Sequence, residues 1–154
     1  MLRPEFSSVR RVLAACVALC LAAVTMTAQS PTTVAVIAHP GVSQSNLTTE
    51  QLRDILMGEQ QHWPGGARIT VIRPSGGEAW TLTLTRILHL SASAYARQVD
   101  RKHYAGEWSN LPRVVEPATE RRKLVAATPG AVSIVSSADV DASVKVIAVD
   151  GLQP

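Results

Sequence analysis

Arg73, Ser75, Gly76 and Gly77 fall in one short run, Arg73-Pro74-Ser75-Gly76-Gly77-Glu78. Together these residue types suit the holding of an oxyanion. A guanidinium offers a planar fork of N–H donors to paired oxygens. A serine hydroxyl and the amides of a glycine-led helix start add neutral donors around the same point.

A second use of the same residues competes with the first. Ser75 and Glu78 have the spacing of a capping box, in which each side chain would satisfy a backbone N–H at the helix start. Glu78 would then lie at the positive end of the helix with Arg73 as its pair, and its carboxylate would repel a dianion. Either arrangement answers the orphan amides of a helix N-terminus, and the sequence leaves both open.

Other chemistries lack their residues. His39, His62, His89 and His103 show no HExxH spacing and no carboxylate in ligand register. Both cysteines, Cys16 and Cys20, lie near the start of the chain, so no metal centre and no cofactor is expected. No G-x-S-x-G elbow is present and no nucleophile–base pair can be assembled, which points to a non-enzymatic protein.

The elements that must position the turn read clearly. Val34 to Ala38 and Ile69 to Ile72 are β-branched apolar runs of strand length, without polar alternation, as strands covered on both faces require. Between them, Thr48 and Gln51 form a capping box, Leu47 staples onto Leu52, and Gly58 is placed to end the helix. Leu52, Ile55 and Leu56 make its buried stripe. After the glycine turn, Trp80, Leu84, Ile87 and Leu88 form one apolar face, and Ala92, Tyr95, Ala96 and Val99 another beyond a break near Ser91. Gly106 to Arg113 reads as a loop. Pro117 opens a helix through Ala127, with Arg121-Arg122-Lys123 on its solvated side. Strands follow at Ala131 to Val135 and Val144 to Val149. The order β-α-β-α-α-α-β-β implies an α/β fold: a three-layer sandwich around a mostly parallel or mixed sheet.

Residues 1–28 have the order of a signal peptide. Three arginines lie within Met1–Arg11, an apolar run spans Val12 to Val24, and small residues precede Gln29. The run is short for a membrane span. The expectation is a periplasmic or secreted protein whose residues 29–154 form a single domain, with no membrane segment after cleavage. The chain of 154 residues carries 15 Lys+Arg and 12 Asp+Glu. Removing Arg3, Arg10, Arg11 and Glu5 leaves 12 cations and 11 anions, a net charge of +1. The pI near 9.2 therefore overstates the basicity of the processed chain. A nucleic-acid partner, which needs a concentrated cationic face, is not expected.

Four ordered segments carry a resemblance: LTTEQLRDILMGEQQHW (47–63), ITVIRPSGGE (69–78), LVAATPGAVSIVS (124–136) and VKVIAVDG (144–151). The chain resembles the phosphate-binding-protein-like substrate-binding proteins of ABC transporters, periplasmic binding proteins of the second structural type. That resemblance implies a fold like one lobe of such a protein, with an oxyanion such as phosphate as ligand. It places Arg73, Ser75, Gly76 and Gly77 at the ligand, and Ser43 and Ser45 of the first strand–helix loop along the same edge. An ABC transporter permease or an envelope protein becomes the implied partner. The chain departs from the family in two respects. It has about half the family's length, and Gly76-Gly77-Glu78-Ala79 stands where the family has Gly-Ser-Gly-Thr. One lobe cannot enclose an anion between two, so tight binding implies a homodimer or another partner. The alternative is an envelope interaction or assembly module that kept the fold and lost the ligand site.

Overall fold

The computed structural model describes residues 33–152. The signal-peptide reading lies outside the described residues. Strand β1 is Val34–Ala38, β2 Asn46–Leu47, β3 Thr70–Arg73, β4 Arg113–Val114, β5 Ala131–Ser136 and β6 Lys145–Val149. Helix α1 is Thr49–Leu56, α2 Glu78–Thr83, α3 Ala92–Tyr104 and α4 Ala118–Ala127. A π-helical turn, Leu84–Leu88, continues α2.

The six strands form one sheet in the order β2-β6-β1-β5-β3-β4. β3 runs parallel to β4 and β5, and β2 runs parallel to β6. β1 is antiparallel to both of its neighbours, β5 and β6. The sheet is therefore mixed, with β1 alone reversed.

Helices cover both faces, as three layers require. On one side Val36, Ala38, Val71, Val132, Ile134 and Ile147 pack with Leu52, Ile55 and Leu56 of α1, Trp80 of α2 and Tyr95 of α3. On the other, Ile37, Ile72, Ala131 and Val135 pack with Val125 of α4. Residues two apart on a strand share a face, so uninterrupted apolar runs feed both layers at once. Burying each of these larger side chains contributes about 1.5–3 kcal/mol.

Local chemistry sets the helix ends. Thr48 accepts from the Gln51 N–H at 3.1 Å, and the Gln51 side chain accepts from the Thr48 N–H at 2.9 Å. Leu52, Ile55 and Leu56 are then fully buried along one stripe. Gly58 follows with φ 72°, where a Cβ would overlap the Trp108 ring. Trp63 packs beneath the sheet, its indole donating to the Gly130 carbonyl at 3.0 Å.

The basic run of α4 is only partly solvated. Lys123 is exposed and pairs with Glu120. Arg121 is 5% exposed, because it lies one turn before Val125 on the face turned to the sheet. The two-residue strands β2 and β4 extend the sheet at its edges. Segments that short carry no periodicity.

Candidate functional site

Arg73 ends β3. Val71 and Ile72 point to opposite layers, so Arg73 shares the face of Val71, toward α1, α2 and α3. Its guanidinium carbon lies 5.8 Å from the Trp80 ring centre and 5.6 Å from that of Tyr95. Those rings meet edge to face, 5.3 Å apart at 82°. The Tyr95 hydroxyl donates to the Leu56 carbonyl at 2.9 Å, which fixes the ring. Burial pushes its pKa far above the ordinary tyrosine value, only partly offset by the charge of Arg73, so it stays neutral. One Arg73 η nitrogen donates to the Pro74 carbonyl at 3.0 Å, and the buried Nε has no hydrogen-bond partner among the described residues. Two aromatic faces and one hydrogen bond thus hold a half-buried cation in place.

The turn after Arg73 is assembled from two distant segments. β4 pairs with β3 through Ile72–Arg113 and Arg73–Val114, and the Val115 N–H donates to the Arg73 carbonyl at 3.1 Å. This register carries Glu116 alongside Ser75. One Glu116 oxygen, Oε1, accepts from the Ser75 N–H at 2.9 Å and from the Ser75 hydroxyl at 3.2 Å. The other, Oε2, accepts from Arg121 at 2.6 Å, and the same Arg121 nitrogen donates to the Val115 carbonyl at 3.1 Å. Desolvation raises the Glu116 carboxyl, but the Ser75 amide and hydroxyl and the Arg121 guanidinium outweigh it. The group is held below the ordinary glutamate value.

The capping box expected of Ser75 and Glu78 does not form. Gly77 is the cap of α2, with φ 97° and no side-chain cap bond. Gly76 and Gly77 border open space, since a Cβ on either would meet no atom within 4 Å. The carboxylate on Ser75 comes from Glu116, 41 residues away.

Ser43 and Ser45 are not brought to this turn. Because β1 is reversed, the loop after it leaves from the end of the sheet where Thr70 starts β3, not where Arg73 ends it. Ser43 lines a small cavity there with His39, Trp63, Gly65 and Gly130, and its carbonyl faces Lys145. Ser45 precedes β2, four strands from β3, roughly 19 Å at the usual strand spacing. It borders an apolar groove with Val34, Val146 and Ile147. The expectation that both serines line the edge of Arg73 is corrected: the direction of β1 carries Ser43 to the other end of the sheet, and strand order sets Ser45 aside.

Arg73, Ser75, Gly76 and Gly77 do stand together. Glu116 and Arg121 join them, and sequence spacing carried no sign of either. Among the described residues no group of three or more His, Cys, Asp or Glu is gathered for a metal ion, and no helix is long and apolar enough to cross a membrane.

No family profile matches the sequence. Solved structures do match. PstS of Borrelia burgdorferi aligns with a TM-score of 0.61 at 19% identity, over 80% of this chain and 49% of that one. A protein of Clostridium perfringens described as a phosphate ABC transporter substrate-binding protein, solved with bound phosphate, gives 0.61 at 22% over 79% and 46%. An ABC-type phosphate transport receptor of Vibrio cholerae gives 0.54 at 24% over 80% and 48%. The fold is that of a phosphate-binding-protein lobe. The chain spans about half the length of the structures it matches. At these identities the likeness concerns architecture, so function rests on the residues of the turn.

Proposed function

We propose that this chain is an exported, non-enzymatic substrate-binding-like domain that holds a small oxyanion such as phosphate at the turn after β3, for transport through an ABC permease or for sensing. The observation that carries the reading is Arg73. A half-buried guanidinium is fixed over Trp80 and Tyr95 at the strand end, beside a glycine turn that opens onto free space. Burial strengthens its pull on an anion, because solvent screens it less there than at the surface. The likeness to phosphate receptors in fold supports the same ligand class. The described residues give one wall of a site, and enclosure of the anion needs a second wall, such as a second copy of the chain or another protein segment.

Calorimetry of the protein with phosphate, sulfate and molybdate tests the reading. Binding heat in wild type that disappears in Arg73→Ala is the expected result. Absence of heat at millimolar anion, with a melting temperature that added anion leaves unmoved, would remove it.

Glu116 favours a second reading, an envelope interaction or assembly module that retains the fold without the ligand. Its carboxylate already takes both Ser75 donors. Crosslinking in periplasmic extract separates the two, since a stoichiometric protein partner without an anion response belongs to the module.

A further inference from the structure

We propose that Glu116 is an internal ligand of the Ser75 donors and sets the anion affinity of the turn by competing with solutes for them. This rests on the oxyanion reading above and adds its regulation. A carboxylate is itself an oxyanion, and Glu116 meets Ser75 as a bound one would, with an amide N–H and a hydroxyl converging on one oxygen. Its second oxygen is moored to Arg121, a cation that is 5% exposed and also tied to the Val115 carbonyl. The mooring holds the carboxylate over the turn, while 46% of the Glu116 side chain remains exposed. The clasp therefore faces solvent on one side, and a solute can reach it. Gly76 and Gly77 leave room for the incoming anion.

A tethered ligand is present at high effective concentration and wins against a dilute solute. The solute sees only the fraction of molecules in which the clasp is open, and its apparent affinity falls by that fraction. If the clasp is open in one molecule in about ten, apparent affinity is lowered about tenfold.

The test is calorimetric titration of the full chain with inorganic phosphate in wild type, Glu116→Gln, Glu116→Asp and Glu120→Gln. Glu116→Gln weakens the hold on Ser75, because a neutral acceptor binds less strongly than a charged one. Glu116→Asp keeps the charge and an ionic partner for Arg121, which preserves the fold, but shortens the reach to Ser75. Glu120→Gln removes one nearby negative charge that pairs with Lys123 and not with the turn. The expected result is phosphate binding at least roughly tenfold tighter in both Glu116 variants and unchanged in Glu120→Gln. Tightening in Glu116→Gln and not in Glu116→Asp would reduce Glu116 to charge repulsion and overturn the competition. Equal tightening in Glu120→Gln would overturn it in the same way. Unchanged or weaker binding in both Glu116 variants would overturn it while leaving the oxyanion reading intact. No binding heat in any of the four proteins would remove both.

Discussion

Arg73 and Tyr95 are mechanically coupled. The guanidinium lies 5.6 Å from the tyrosine ring, whose hydroxyl is in turn fixed to the Leu56 carbonyl at the end of α1. The position of the cation thus depends on a bond between α3 and α1. Tyr95→Phe keeps the ring and deletes that bond, leaving the carbonyl without its partner. Stability should fall by about 1–3 kcal/mol, read from urea unfolding, and any phosphate affinity should weaken with it.

The glycines divide into structural and permissive positions. Gly130 has φ 77°, and a Cβ there would overlap the Arg68 carbonyl oxygen. Gly130→Ala should therefore cost more than about 2 kcal/mol through strain and overlap. Gly76 borders open space, so Gly76→Ala should stay within about 0.5 kcal/mol of wild type. Thermal denaturation of the two variants checks the contrast.

Arg121 and Lys123 lie on opposite faces of α4, one buried and one exposed. Arg121→Ala removes the guanidinium from Glu116 and from the Val115 carbonyl, and its packing against the sheet is lost. A loss of about 2 kcal/mol or more is expected, since half of the pair is buried. Lys123→Ala, on the exposed side with 74% of its side chain in water, should change stability by less than about 0.5 kcal/mol. Chemical denaturation of both variants distinguishes the two faces.

Acid should weaken the domain in a defined direction. Glu116 has a folded-state pKa below its ordinary value of 4.5. In the folded protein it therefore binds fewer protons than in the unfolded chain, and its stabilisation is present above that pH and lost as pH falls through the depressed value. Asp141 acts in the same sense, with the Ser143 hydroxyl and amide lowering it first and Arg122 after them. The melting temperature of wild type should drop more steeply below about pH 4.5 than that of Glu116→Gln. Parallel melting curves from neutral to acid pH would contradict this.

The parts of the fold written in local chemistry were legible. Thr48 and Gln51 declare their helix start by side chain alone, and the strands announce themselves as apolar runs. Strand direction was not legible, because Val34 to Ala38 reads the same in either sense. That direction sets Ser43 at the other end of the sheet from Arg73, while strand order, equally silent in the sequence, sets Ser45 four strands aside. The site was half visible. Arg73 and its glycines are adjacent in sequence, whereas Glu116 reaches Ser75 only through the pairing of β3 with a two-residue β4. Ser75 and Glu78 have the right spacing for a box, yet tertiary pairing gave Ser75 a stronger acceptor. Arg121 stands in a run of three cations, and only its helical phase with Val125 turns it toward the sheet.

The reversal of β1 has an architectural consequence. Val34 begins that strand opposite Ser136, and the register of β1 with β6 sets Val149 at the same level. Both doorways of the domain thus open at the end of the sheet where Arg73 stands, on adjoining strands.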